Sequence, residues 1–121
     1  MRHTLASLVL ALFLFPSIVM GETMNDLIFR SSDGLHYKKF TKVPFSGNVT
    51  GQYQGIFKNG KKEGPWVIYH KNGRLKSKGT YKNGKREGPW VDYWEGGHVM
   101  SNTTYNDGKK NGPWVQYHDN G

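Results

Sequence analysis

An all-β protein, built as an elongated single-layer antiparallel sheet of stacked β-hairpins, follows from three features of the sequence. A pattern recurs every 24 residues, each repeat carries two turn signals, and the chain between turns alternates in polarity. A fixed period of this length marks a stacked-repeat architecture, and alternation with period two marks half-buried strands.

The chain opens with a segment that is not part of the repeats. Residues 1–21 read MRHTLASLVLALFLFPSIVMG, a basic start at Arg2, an uncharged apolar run from Thr4 to Met20, and small residues after Pro16. That order is the plan of a secretory signal peptide. Val19 and Gly21 suit the −3 and −1 positions of a cleavage site, which leaves Glu22 first in the mature chain. A retained membrane anchor is the alternative, but an apolar run of about 17 residues broken by Pro16 is short for a span. The expected location is exported, periplasmic or extracellular. Absence of cysteine excludes a disulfide scaffold, a thiolate zinc site and a thiol nucleophile.

Residues 22–54 form a degenerate N-terminal cap segment. Asp33-Gly34-Leu35 is a turn, and residues 36–40 and 45–49 read as strands joined through Val43-Pro44. Terminal units of a repeat stack are atypical because they cap it.

Residues 55–121 hold three repeats, 55–78, 79–102 and 103–121, aligned without gaps. Gly60, Gly84 and Gly108 are equivalent, as are Gly64, Gly88 and Gly112. Trp66, Trp90 and Trp114 follow a Gly-Pro step, and Tyr69, Tyr93 and Tyr117 come three residues later. Asn59-Gly60, Asn83-Gly84 and Asp107-Gly108 predict two-residue hairpin turns, in which both central residues take positive φ. Asn72-Gly73, Gly96-Gly97 and Asn120-Gly121 predict a second set. In the strands, Val67 and Tyr69 alternate with Trp66, Ile68 and His70. Val, Leu and Tyr are expected on the packed face, which leaves the tryptophans on the more polar face or at its rim. The Gly-Pro step predicts a bulge or a strand start, since proline cannot donate inside a ladder.

The chain has 17 Lys and Arg against 9 Asp and Glu, a formal charge of +8, and 16 glycines in 121 residues. A chain this rich in Gly, Lys, Tyr and Trp is poor material for an enclosed catalytic site. No serine or threonine has a nucleophile-elbow or triad context. Glu63 and Glu87 are repeat-equivalent, but Asn111 stands in the third unit. His70 and His118 share a repeat position with Trp94 and would lie about 20 Å apart at two strands per repeat, too far for one metal. The histidines read as exposed and unpaired; no metal, cofactor or catalytic residue is expected.

Two surfaces are candidates for binding. Lys61-Lys62, Lys85-Arg86 and Lys109-Lys110 recur beside the same turn and stack into a basic ridge. Such a ridge suits anionic lipid heads, a phosphorylated polysaccharide or an acidic protein, while lysines on an exposed edge also guard it against aggregation. Trp66, Trp90 and Trp114 form an aromatic ladder, either structural or a row of platforms for a sugar or peptide. Nucleic acid is not expected as the partner of an exported chain.

At GTYKNGKREGPWVDYW the sequence resembles the MORN-repeat family, in the variant form of many bacterial proteins, over residues 33–121. The resemblance implies hairpins stacked into one elongated sheet and no catalytic residues. Some relatives carry a label as antitoxins of the YwqK type, which implies an antitoxin-like role; eukaryotic members are associated with membrane binding or protein contact. The function expected is that of an exported non-catalytic module for protein–protein interaction or scaffolding. Binding of envelope lipid or polysaccharide is the alternative. Intact-mass analysis of the exported protein should find a chain starting at Glu22 or a near neighbour; a product that keeps Met1 in the membrane fraction would show an anchor instead.

Overall fold

The computed structural model describes residues 21–121. The expected export signal lies outside the described residues except for Gly21. A 3-10 turn at Met24–Asp26 leads into β1 (Leu27–Arg30) and β2 (Leu35–Lys38), a separate two-stranded hairpin. Then follow β3 (Gly47–Val49), β4 (Tyr53–Lys58), β5 (Lys61–Tyr69), β6 (Leu75–Lys82), β7 (Lys85–Tyr93), β8 (Val99–Asn106), β9 (Lys109–Lys110) and β10 (Val115–Gln116). These eight form one sheet in which sequence neighbours are spatial neighbours, with β9 and β10 both against the outer side of β8. Every strand pair is antiparallel. The expected all-β sheet of stacked hairpins is thus the fold observed. In the cap, β1 was not legible as a strand in the sequence; it pairs fully with β2, Leu27 opposite Lys38 through Arg30 opposite Leu35.

The two sets of turns differ. Asn59 and Gly60 have φ of 51° and 83°, Asn83 and Gly84 53° and 81°, Asp107 and Gly108 53° and 84°. These are the two-residue turns expected from Asn-Gly, whose twist matches that of the flanking strands. In the second set only the final glycines, Gly73, Gly97 and Gly121, have positive φ. There the loop is longer: Gly73 N–H donates to His70 O at 2.9 Å and His70 N–H to Arg74 O at 2.7 Å. Trp94, Gly97 and His98 repeat the arrangement. The expectation of a two-residue turn at Asn72-Gly73 is therefore corrected to a three-residue loop. It brings the bulge between Ile68 and Tyr69, and the equivalent one between Asp92 and Tyr93.

The packed face is also the reverse of the one expected. Register places Trp66 opposite Gly79, Gly64 opposite Tyr81 and Ile68 opposite Ser77 on one face. The next pair continues that face with Trp90 opposite Thr103, Gly88 opposite Tyr105 and Asp92 opposite Ser101. Trp66 and Trp90 are each 1% exposed, and Ile68, Ser77, Ser101 and Thr103 are buried. Val67 and Tyr69 lie on the other, more open face. The alternation is as expected and the buried side is the opposite one. In a single layer the face with the largest apolar rings is the one worth covering, and indole outweighs Val and Tyr in apolar area.

The means of covering it lies in the sheet itself. In β4, Gly55 faces the three residues Gly64-Pro65-Trp66 of β5, so the Gly-Pro step is the expected bulge. Gly64 sits at φ 77° to make it. The Trp66 indole folds back over Gly55, where a β-carbon would stand 2.3 Å from the ring. Trp90 lies over Gly79 in the same way, with 2.2 Å to such a carbon. Each indole N–H donates to the strand it covers, Trp66 Nε1 to Ile56 O at 3.2 Å and Trp90 Nε1 to Thr80 O at 3.0 Å. Between them run edge-to-face contacts, Phe57 to Trp66 at 5.3 Å, Trp66 to Tyr81 at 5.9 Å and Tyr81 to Trp90 at 5.0 Å. The cap closes one end of this row, with Phe45 and His36 on Phe57.

Gly79→Ala should cost about 2 kcal/mol or more, because the methyl must displace a packed indole. Gly96→Ala, where the added carbon meets nothing within 4 Å, should leave stability nearly unchanged. Urea unfolding of the two variants checks this; equal losses would mean that the glycine notch is not what seats Trp90.

Candidate functional site

The basic ridge is real in geometry but divides into two rows. Lys62, Arg86 and Lys110 lie over the aromatic face. Lys62 Nζ is 5.1 Å from the centre of the Trp66 ring and 4.9 Å from that of Tyr81. Arg86 Cζ is 4.1 Å from Trp90 and 5.4 Å from Tyr105, and Lys110 Nζ is 4.7 Å from Trp114. These cations roof the ring row, Lys110 exposed and Lys62 and Arg86 half-buried. Lys61, Lys85 and Lys109 run along the edge. The Lys61 stem crosses Gly84 of the next turn, at 3.6 Å from a β-carbon built there, and Lys85 crosses Gly108 at 3.4 Å. Lys85 Nζ is 3.7 Å from Asp107, a pair exposed on both sides.

Each repeat braces the next through bonds that recur after 24 residues. Gly84 N–H donates to Lys62 O and Gly108 N–H to Arg86 O, both at 2.9 Å. Asn83 N–H donates to a Glu63 carboxylate oxygen at 3.0 Å and Asp107 N–H to Glu87 at 2.8 Å. Glu63 and Glu87 therefore hold turns, and among the described residues neither forms a salt bridge with the ridge. The sequence contained the signal: a glutamate 20 residues before the Asn83-Gly84 and Asp107-Gly108 turns, and asparagine at 111.

The histidines are not all exposed and unpaired, as expected. His70 Nε2 lies 2.9 Å from Tyr93 O, so its tautomer is the one that donates there. Trp94, at the same repeat position, donates from Nε1 to Tyr117 O at 3.1 Å. His and Trp are exchangeable because each offers one ring N–H to the next unit. His36 lies between Phe29 and Phe57, tilted to both rings, with centroids at 5.1 and 4.8 Å. Burial pulls its pKa below the usual histidine value, opposed by the hydrogen bond with the Gly60 backbone and assisted, to a lesser degree, by the charge of Lys62. Among the described residues no three of His, Asp and Glu gather as a metal would need.

Of the aromatic candidates, Trp66 and Trp90 are corrected to core residues: rings 1% exposed cannot be platforms. Trp114 is different, at 48% exposed. Its place over the preceding strand is taken by Thr103, which stands where Gly55 and Gly79 stand in the other units. A real β-carbon fills the notch and the indole stays outside. Tyr69 and Tyr93 are half-buried on the outer face, while Tyr117 is exposed at the edge. The clefts are open and shallow. One of 390 Å³ lies between the β1–β2 hairpin and the Asn83-Gly84 turn, with Phe29, His36, Lys61, Lys62, Tyr81 and Lys85 on its walls.

Open hairpins that lean on their neighbours and share one row of rings define a linear repeat protein. Residues 62–83 and 86–107 match the MORN repeat variant, and residues 53–65 and 78–89 match the MORN repeat. Residues 53–107 are thus built of MORN repeats. No curated protein and no solved structure matches it.

The depressed His36 pKa gives stability a defined pH response. The folded state disfavours the proton that the unfolded chain takes up near the usual histidine pKa. The His36 contribution is whole above that value and falls away as pH drops through it toward the folded pKa. Thermal melts of the parent and of His36→Phe between pH 7.5 and 5, a range of about one unit or more on either side of that pKa, should diverge on acidification, the parent losing more. Parallel curves would show that His36 is not disfavoured as a cation.

Proposed function

We propose that the chain is exported and works outside the cytoplasm as a non-catalytic module that binds an acidic partner protein. MORN repeats are in general interaction and binding modules. The observation that carries the reading is the double row of cations. Six positions, Lys61, Lys62, Lys85, Arg86, Lys109 and Lys110, are set at repeat spacing on a stiff frame. The nearby Glu63 and Glu87 bond backbone amides and make no salt bridge with these cations. Cations held in place by ring contacts need less ordering when a partner docks, which favours binding. Export is supported by the apolar leader.

Anionic envelope lipid or polysaccharide is the second reading, because the same cations at the same spacing suit a surface of phosphate or carboxylate groups. The antitoxin-like role of some relatives has no residue in this chain behind it.

Affinity capture from an envelope extract tests the choice. The parent should retain a protein that is lost from the Lys61→Glu, Lys85→Glu, Lys109→Glu triple variant, while the melting temperature of that variant stays near the parent's. Retention should weaken as salt rises, because the Debye length shrinks from about 10 Å at 0.1 M to about 3 Å at 1 M. Equal capture by parent and triple variant would refute the ridge as the contact. Binding to phosphatidylglycerol vesicles with no protein retained would favour the lipid reading.

A further inference from the structure

The aromatic row runs on past Phe57. It continues to His36, with ring centres 4.8 Å apart, and from His36 to Phe29 at 5.1 Å. Phe29 is 57% exposed, so the row ends on an open ring. That ring stands on β1, the outer strand of the two-stranded hairpin. The hydrogen bonds around the hairpin fix which backbone groups of β1 are taken. Lys39 N–H donates to Asp26 O at 2.9 Å and Gly34 N–H to Arg30 O at 2.8 Å, so the even-numbered residues turn toward β2. On β2, His36 turns away from β1: its N–H donates to Gly60 O at 2.8 Å and its O accepts from Phe45 N–H at 2.9 Å. His36 faces Phe29 and Lys38 faces Leu27, which makes both of these non-hydrogen-bonded pairs. Leu27 and Phe29 therefore turn their N–H and C=O groups away from β2, and among the described residues nothing pairs with them. The segment that leads into β1 runs elsewhere: Glu22 bridges Val49 on β3, and Met24–Asp26 form the 3-10 turn between.

The 390 Å³ cleft adjoins this edge. Phe29 and His36 of the hairpin share its walls with Lys61, Lys62, Tyr81 and Lys85 of the first two repeats. The carboxylate on its wall, Asp33, is already engaged, by Leu35 N–H at 3.0 Å and Tyr37 O–H at 2.5 Å. An open backbone edge, the open end of a ring row and three ammonium groups thus meet at Phe29.

We propose that β1 takes up an extended acidic segment of the partner protein as a third, antiparallel strand of the hairpin, with an apolar residue opposite Phe29 and carboxylates beside it directed at Lys61, Lys62 and Lys85. This rests on the reading of the chain as a binder of an acidic protein, and it says where and in what conformation that partner is held. Main-chain bonds to an open edge supply affinity, and alternate side chains supply the choice of sequence. The N–H and C=O groups of Leu27 and Phe29 are the ones an added strand meets. The residue opposite Phe29 extends the ring row. Residues two positions to either side lie on the same face, the face bordered by the cations, where negative charge is favoured. On the reverse face Ile28, 46% exposed, gains cover, and Arg30, held over the Tyr37 ring at 4.1 Å, adds positive charge. A lipid surface does not suit this edge, because headgroups carry no ladder of N–H and C=O groups.

The probe is the capped peptide Glu-Val-Phe-Val-Glu, added to the full chain and followed by amide NMR and hydrogen exchange. Without peptide, the amides of Leu27 and Phe29 should exchange faster than that of Ile28, which is bonded to β2. With peptide they should slow, and shifts should gather at Phe29, Lys61, Lys62 and Lys85. In an antiparallel strand the peptide's Phe nitrogen points at β1 and its Val nitrogens point away. Methylation of the Phe nitrogen should abolish binding, and methylation of a Val nitrogen should leave it. Phe29→Ser should weaken binding by roughly tenfold, with an unfolding midpoint near the parent's because the ring is exposed. Lys85→Gln should weaken it by roughly threefold, and Lys109→Gln, which is off the cleft, should change nothing. The proposal is overturned by no binding up to the solubility limit of the peptide, by equal loss on methylation at either kind of nitrogen, or by equal binding of Lys-Val-Phe-Val-Lys. A dimer of the chain that Phe29→Ser abolishes would also overturn it, since a second copy would then hold the edge. The two readings fail differently. Partner capture that survives Phe29→Ser but needs the ridge lysines removes the strand and keeps the ridge; capture that survives the triple lysine variant removes the ridge reading itself.

Discussion

The fit of an indole over a glycine of the preceding strand is the contact on which the rest depends. A sheet one layer thick has no second layer to bury its apolar side. Here the sheet makes its own cover. Trp66 lies over Gly55 and Trp90 over Gly79, each in a notch that any side chain would fill. The bulge at Gly-Pro-Trp follows, since one residue of β4 must face three of β5 for the ring to fold back. The positive φ of Gly64 and Gly88 follows from the bulge. So does the ring row, because laying each indole flat brings it edge-on to the Tyr or Phe beside it. The periodic Gly, Pro and Trp are one device rather than three conserved-looking positions.

The same spacing turns each unit into the support of the next. A carbonyl at Lys62, a carboxylate at Glu63 and a ring nitrogen at His70 all bond groups of the following unit. None of these partners lies within its own hairpin. A lone hairpin would keep its turn residues and lose its braces, which is why stability in such arrays belongs to neighbours as much as to units. The cap serves the first unit likewise. Ser46 Oγ accepts from Asn59 N–H at 2.8 Å, standing where a glutamate stands later, and Gly60 N–H donates to Phe45 O at 2.7 Å.

Sequence disclosed what is local and periodic. The Asn-Gly turns, the bulge at Gly-Pro and the order of hairpins needed only turn chemistry and a period. The packed face needed a comparison between strands, which alternation within β5 alone does not supply. The clue was nonetheless present: Gly55 and Gly79 precede Trp66 and Trp90 by 11 residues each. A glycine at a fixed offset from a tryptophan says where the indole rests. The strand β1 was hidden for another reason. Its four residues pair only with β2, and Ile28 and Phe29 are exposed, so no alternation toward a core marks it. The histidine braces were missed because His70 and Trp94 look unrelated until their single ring N–H is taken as the shared property.

One substitution within the repeat separates the last tryptophan from the other two. Thr103 holds the place of Gly55 and Gly79, and its side chain is buried where an indole would need space. Threonine is acceptable on that strand because Trp90 faces it across β7–β8 without lying on it. Its cost falls on Trp114, which loses its notch and its carbonyl partner and remains outside under Lys110. The change from glycine to threonine thus converts a core residue into a surface residue while leaving the Gly-Pro-Trp motif intact. Identical motifs do not imply identical exposure. Aromatic anchors dominate many interfaces, and in this chain the tryptophan free to act as one is selected by a residue 11 positions before it.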